Sequence, residues 1–349
     1  MNKENKKTSD ETLKKIKSAE KILIVPDGKR VDHDCISSAV ALKLFLIKLG
    51  KAEPMICIFG SVPNYMKEFV TENEIVTNHI ADVDFNSYDL IFLLDAPQWD
   101  RVLSDDYQTV LDKVPMEKFI NIDHHEYATI YQTNPETVVV EIGEPSTTKV
   151  LYDLIIEPSG IELDKNIAEM LYVGLVSDSQ FFRFGIKEDT LSFGQILLNT
   201  GIDHYKILNM LTRVEKGSID YLTSVLNHIR YYPEIKLMTL IISEKLISEL
   251  DGKLGDDWMD KEYFHYFNDN VAAKITGFDY CVTFKVSSKG TKISWRSANY
   301  NTIALKDVLE KMNFFGGGHR NAGGGVISDS TPEETEAEFV AELTKTLSN

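Results

Sequence analysis

The apolar residues fall into two kinds of run. Short continuous runs occupy 21–25, 55–59, 90–94 and 119–122, each closed by a turn former or an acidic residue. Runs of that length with little alternation predict strands buried on both faces, as in a parallel sheet. Segments 36–49, 146–156, 166–176 and 190–198 instead space their apolar residues at helical intervals. Strand then helix, repeated, predicts an α/β fold with helices on both faces of a parallel sheet. Residues 1–20 are polar and read as a helix or arm.

After Gly201 the pattern changes. The stretch 201–234 reads as a helical linker. A new unit follows, with strands at 236–242, 280–286 and 292–296, helices at 244–250 and 303–311, a Gly-rich loop at 316–325 and a last helix from Pro332. The expectation is a parallel-sheet N-terminal domain over 21–200 and a smaller α/β C-terminal domain over 235–349. A length of 349 residues agrees with about two domains.

Composition narrows the partners. Hydrophobic residues make up 43%, with 17 Phe and 15 Tyr, enough to fill a core. The net charge of −17 repels a phosphate backbone at long range, so long duplex nucleic acid is not an expected partner. A short or single nucleotide stays open if cations concentrate in one cleft. Cys35, Cys57 and Cys281 form no pair motif, which fits a reducing cytoplasm. The N-terminal apolar run at 22–25 is too short for a signal-peptide core. No stretch is long enough to span a membrane, so no membrane partner is expected.

Acidic residues at strand ends carry the chemistry. Asp32 and Asp34 follow the first strand, Asp95 ends the third, Asp123-His124-His125 ends the fourth, and Asp178 closes the helical run GLVSDS. In an open parallel sheet, ligands bind beyond the carboxyl ends of the strands. One Asp after a strand is ordinarily a cap or turn former, but capping does not need Asp-His-His on an apolar strand. Converging carboxylates repel one another unless cations neutralise them, and oxygen donors with a few imidazoles suit Mn²⁺ or Mg²⁺. The run GGGHRNAGGG at 316–325 offers backbone N–H groups to an anion. It lacks the GK[ST] of a P-loop. Arg296 ends the strand KISWR, where it could clamp a phosphate.

VDHDCISS, LLDAPQWDR, IDHH, GLVSDSQFFRF and GGGHRNAGG stand in the order found in DHH phosphoesterases with a DHH-associated C-terminal domain. The resemblance covers about 20–345 and is similar to the nanoRNase/pAp-phosphatase branch of the RecJ-like superfamily. It implies two Mn²⁺ ions, with Mg²⁺ as a substitute. Asp32 and Asp95 would hold the first. Asp34, Asp95, His124 and Asp178 would hold the second, with Asp95 bridging and acting in catalysis. Asp123 would orient His124 from behind, and His125 would sit at the scissile phosphate. Arg101, Arg296, Gly317, Gly318 and His319 would bind substrate. The family's first motif, His-x-x-x-Asp-x-Asp, places an imidazole where this chain has Gly28. Asp27 and His33 are the nearest other donors.

The function so implied is metal-dependent hydrolysis of short single-stranded RNA or of pAp-type nucleotides by a cytoplasmic enzyme. The alternatives are a cyclic dinucleotide (c-di-AMP) phosphodiesterase and a non-enzymatic nucleotide-binding protein with a degenerate first metal site. The sequence leaves a homodimer open.

Overall fold

The computed structural model describes residues 3–62, 66, 75–125, 130, 138–140, 143–255, 258, 263, 267–272, 274–298, 303–318 and 322–348. The chain divides into two compact units, Met1–Arg213 and Val214–Asn349. The division falls inside the stretch read as a linker. Helix His204–Thr212 belongs to the first unit and helix Lys216–Val225 to the second.

The first unit is built on strands β1 (Ile22–Pro26), β2 (Met55–Ile58), β3 (Ile75–Thr77), β4 (Leu90–Leu94), β5 (Phe119–Asp123) and β6 (Val138–Val140). They form one sheet in the order β3-β2-β1-β4-β5-β6, and every neighbouring pair is parallel. β1, β4 and β5 are buried at every position, because both faces are covered and the strand period sends alternate side chains to each. Ile22 and Ile24 enter one core with helices His33–Lys48 and Lys165–Asp178, whereas Leu23 and Val25 enter the other with Trp99 and Val102. β3 and β6 lie outside the four apolar runs. The expected helix at 146–156 is a helix at Thr147–Leu151 continued by a π-helical turn, Tyr152–Ile156. The N-terminal segment is a helix, Lys3–Ser18, and its Leu13 and Ile16 belong to the core.

The strand order turns at β1, with β2 and β3 on one side and β4, β5 and β6 on the other. Such a switch point opens a crevice beyond the carboxyl ends of the two central strands. Asp27, Asp95 and Asp123 stand at that edge, following or ending β1, β4 and β5.

The second unit carries a mixed sheet in the order β11-β12-β10-β9-β8-β7. Its strands are β7 (Ile229–Tyr232), β8 (Leu237–Ile242), β9 (Tyr280–Ser287), β10 (Gly290–Ser297), β11 (Phe314–Gly318) and β12 (Ala322–Ser328). Only the β8–β9 pair is parallel among them. Within the expected Gly-rich loop, 316–318 and 322–325 are paired strand, with Gly316 opposite Gly325 and Gly317 opposite Gly324. Packing explains most of these glycines. A Cβ on Gly323 would meet the Trp295 ring at 2.1 Å, and one on Gly325 would meet the Phe314 ring at 2.4 Å. Those two rings pack edge to face, 5.8 Å apart. A Cβ on Gly317 would meet nothing within 4 Å.

Candidate metal centre

Asp34 lies in the first turn of helix His33–Lys48 and is buried. Its Oδ2 accepts from the Thr147 N–H at 2.6 Å, and its Oδ1 accepts from the Thr148 N–H at 3.2 Å and the Thr148 hydroxyl at 3.0 Å. Gly174 on helix Lys165–Asp178 makes this possible. A Cβ there would stand 2.4 Å from Asp34 Oδ1 and 2.5 Å from Thr148 Cγ2. Asp178 ends the same helix.

Asp95 follows β4 and is also buried. Its φ of 58° is in the left-handed region, a conformation that costs a non-glycine residue about 1–3 kcal/mol and is retained where the surroundings enforce it. The Asp95 N–H donates to the Ile122 carbonyl at 3.0 Å, and Asp95 Oδ1 accepts from the Thr147 hydroxyl at 2.8 Å.

His124 joins these carboxylates. Its Nε2 lies 3.3 Å from Asp178 Oδ2 and 3.6 Å from Asp95 Oδ1. Its Nδ1 is 3.0 Å from the Glu144 carbonyl, which fixes the ring with Nε2 toward the acids. Two donor groups result, Asp34 with His124 and Asp178, and Asp95 with His124 and His125. Within each, the ligand atoms lie within 4.8 Å of one another. A third group, Glu144 with Asp153 and Asp189, already surrounds the buried Lys149, whose Nζ is 3.0 Å from Asp189 and closer still to Asp153.

The electrostatics are those of acids short of counter-charge. Burial pushes Asp34 and Asp95 above the ordinary carboxylate range, and the neighbouring acids add to the shift. Burial raises Asp178 to about 7 against the pull of His124. Burial opposes charge on His124, yet Asp178, Asp34 and Asp123 raise it to about 9. Buried carboxylates held this way, with one imidazole among them, fit a hard divalent cation.

Two of the expected roles change. Asp123 does not orient the His124 ring. Its Oδ1 accepts from His125 Nδ1 at 2.6 Å and from the His124 backbone N–H at 2.9 Å. Arg101 is turned inward, its guanidinium paired with the buried Asp27 carboxylate and only 13% exposed, so it is not a surface clamp for substrate. Asp32 caps helix His33–Lys48 through Oδ1, accepting from the Cys35 N–H at 3.0 Å, and its charge is among those that raise Asp95. Asp27 does not make up for Gly28, since its Oδ1 accepts from the N–H groups of Lys29 and Arg30 and its Oδ2 faces Arg101. His319 lies outside the described residues. Arg296 donates through Nη1 to the Trp295 carbonyl at 2.9 Å, on the face of β10 opposite the buried Trp295.

Sequence reasoning passed over Thr147, Thr148 and Phe315. The first two lie at a helix start, SerThrThr at 146–148, which is a signal for donors. Phe315 is 71% exposed. Strand alternation sets it on the same face as Gly317, Lys292 and Arg296, through the registers Phe315–Val326–Lys292 and Gly317–Gly324–Ser294.

Residues 21–175 match the DHH family, N-terminal domain. Over 181 residues the chain is 27% identical to a probable manganese-dependent inorganic pyrophosphatase of Bacillus licheniformis, covering 50% of this chain and 54% of that protein. The match spans about half the length of that curated relative. An exopolyphosphatase-related protein from Bacteroides fragilis has the same fold through both units, with a TM-score of 0.78 at 22% identity over 97% of this chain and 96% of that one. The DHH domain of a member of the s1p family of ribosomal proteins aligns with a TM-score of 0.51 at 14% identity, over 99% of this chain and 91% of that chain. No helix among the described residues is long and apolar enough to cross a membrane.

Proposed function

We propose that this protein is a Mn²⁺-dependent phosphoesterase that hydrolyses short oligonucleotides or pAp-type nucleotides. The observation that carries this reading is the convergence of Asp34, Asp95, His124 and Asp178 beyond the carboxyl edge of the parallel sheet, with His125 beside them. Those four residues would hold the cation. A divalent cation in that position supplies Lewis-acid stabilisation of the charge that develops on a phosphoryl oxygen.

The chain's own residues do the rest. Thr147 and Thr148 fix the carboxylates of Asp95 and Asp34 before any cation arrives, so little reorganisation accompanies binding. The Glu144 carbonyl selects the His124 tautomer that offers Nε2. Asp123 grips His125 through Nδ1 and fixes the ring, which leaves Nε2 to transfer a proton to the leaving oxygen.

A nucleotide is favoured over inorganic pyrophosphate or polyphosphate by the second unit. Phe315 there shares one face of the sheet with Arg296 and the open backbone at Gly317. An exposed ring stacks a base, and an arginine pairs with a phosphate. The ring is not needed for a substrate without a base. The test is turnover by metal-stripped protein reloaded with Mn²⁺, comparing pAp, a short RNA, cyclic di-AMP and pyrophosphate at equal concentration. Preference for pAp or the short RNA supports the reading. Preference for cyclic di-AMP or pyrophosphate moves the substrate class, and nucleotide binding without turnover makes the protein a binding module.

A further inference from the structure

The first of the two metal sites that the DHH resemblance implies does not fit the residues present. Its imidazole position is Gly28, where a Cβ would lie 2.7 Å from the Phe59 carbonyl oxygen and 2.9 Å from its carbon. A histidine there would force the Phe59 backbone to shift, which a flexible side chain could do cheaply and backbone cannot. Asp27 is fully buried with both carboxylate oxygens engaged, Oδ1 by two backbone N–H groups at 2.8 and 2.9 Å and Oδ2 by Arg101. Asp32 is exposed and accepts the Cys35 N–H through Oδ1 at the cap of helix His33–Lys48. Among the described residues, neither Asp27, Asp32 nor His33 joins Asp95 in a donor group of metal-binding size. Asp32 and Asp95 are left of the first site, two carboxylates with no imidazole, and the second site shares Asp95.

A positive charge is nonetheless built in on that side. The Arg101 carbonyl accepts from the Gly28 N–H at 2.9 Å, so its backbone is tied to the same loop. The guanidinium is 13% exposed and is attracted by Asp95 and Asp123 as well as by Asp27. Arginine does not lose its proton in a protein, so this is a permanent cation beside the catalytic carboxylates.

We infer that this chain's centre is mononuclear. It holds one divalent cation at Asp34, His124 and Asp178 with Asp95, and Arg101 supplies the second positive charge of the centre. The stoichiometry stands on the donor set alone, and the part given to Arg101 rests on the phosphoesterase reading above. One cation and one guanidinium give the buried acids less positive charge than two cations would. That is consistent with Asp27 being satisfied by protein donors instead.

The experiment counts metal first. Metal-stripped full-length protein is titrated with Mn²⁺, bound metal is measured by equilibrium dialysis with elemental analysis, and the electron paramagnetic resonance spectrum is recorded at saturation. One tight equivalent per chain with the resolved hyperfine lines of an isolated Mn²⁺ ion is the expected result. Two tight equivalents with an exchange-coupled spectrum overturn the inference, whatever the turnover. One equivalent in a protein that hydrolyses none of the nucleotides overturns the phosphoesterase reading and leaves the mononuclear assignment standing. For Arg101, the double variant Asp27→Asn/Arg101→Met removes the guanidinium without leaving a buried charge unpaired. It should keep one equivalent of Mn²⁺ and lose about 10²-fold in kcat, the scale of one preorganised charge-stabilising donor. The wild-type kcat in that variant would remove Arg101 from the centre. If the variant fails to fold, Arg101→Lys, which keeps the charge but loses the planar fork, should retain one equivalent of Mn²⁺ and part of the turnover. A second tight equivalent there would overturn the assignment.

Discussion

Asp123 holds His125 and leaves the ring of His124 to the Glu144 carbonyl. The Asp123 Oδ1 to His125 Nδ1 distance is 2.6 Å. Burial alone would push the Asp123 carboxyl up, but its bond to His125 and the charges of both histidines hold it below the ordinary range. The pair therefore stays ionised at neutral pH on the acid's side. Asp123→Asn should lower kcat by about 10²–10⁴-fold with little change in KM, because an amide supports the wrong tautomer of a proton-transferring imidazole. Steady-state kinetics on both variants, Asp123→Asn and His125→Ala, check this. A full-rate Asp123→Asn would mean that His125 does not move a proton.

The pH dependence of metal binding follows from His124 and Asp178. In the metal-free protein His124 is raised to about 9 and Asp178 to about 7. A cation needs the neutral imidazole and the ionised carboxylate, so it must displace protons that the free site retains. Affinity for Mn²⁺ should thus rise about tenfold per pH unit between those two values, with a proton released per ion, and level off above about 9. For stability the sign is opposite. A histidine raised on folding stabilises the metal-free protein most below its unfolded value near 6.5, and that contribution is lost as pH rises through about 9. Calorimetry in two buffers of different ionisation enthalpy reads the proton release, and an affinity that is flat from pH 7 to 9 would contradict it.

Gly174 is where two helices and the centre meet. Gly174→Ala places a methyl group against Asp34 Oδ1, Thr148 Cγ2 and Ser37 Oγ, all within 2.7 Å of its Cβ. Overpacking of this kind costs about 1–3 kcal/mol, and here the group that must move is the Asp34 carboxylate, proposed above as a ligand of the cation. Denaturant unfolding should show that loss, and Mn²⁺ affinity should fall with it. An unchanged unfolding midpoint together with unchanged affinity would mean that the helices separate freely.

Phe315 should affect KM rather than kcat. Stacking on an aromatic ring contributes about 1–3 kcal/mol per base, so Phe315→Ala should raise KM for pAp or a short RNA by about 5- to 150-fold. Arg296→Ala should act in the same sense, since a phosphate contact away from the reacting atoms binds ground and transition states alike. Any turnover of pyrophosphate should be unaffected by Phe315→Ala. Equal losses on both kinds of substrate would deny the ring a role in holding a base.

The parts of this molecule legible in its sequence are those where one local signal suffices. β1, β4 and β5 are apolar at nearly every position because they are buried on both faces, and the acids that end them follow directly. β3 and β6 span three residues each, too few for a period to show. The polar composition of the N-terminal helix concealed Leu13 and Ile16, which reach the core three residues apart on one face. Glycines at 316–325 signal a loop by their freedom, yet Gly323 and Gly325 are small because Trp295 and Phe314 fill the space beside them. The grip of Thr147 on Asp34 joins residues 113 positions apart, and no local pattern reports such a bond. Arg101 stands six positions after Asp95, where the sequence shows its charge but not that it turns to Asp27.

The measurement that tests the central claim most directly is phosphoester hydrolysis by metal-stripped protein before and after Mn²⁺, with Asp95→Ala alongside. Asp95 lies within the donor group of His124 and His125 and is fixed by Thr147, so its loss should remove the centre's shared carboxylate. The expected result is no turnover without metal, turnover of pAp or short RNA restored by Mn²⁺, and less than about a tenth of it in Asp95→Ala, since a damaged metal centre costs several kcal/mol of transition-state stabilisation. Hydrolysis that is indifferent to metal, or an Asp95→Ala protein as active as the wild type, would contradict the account.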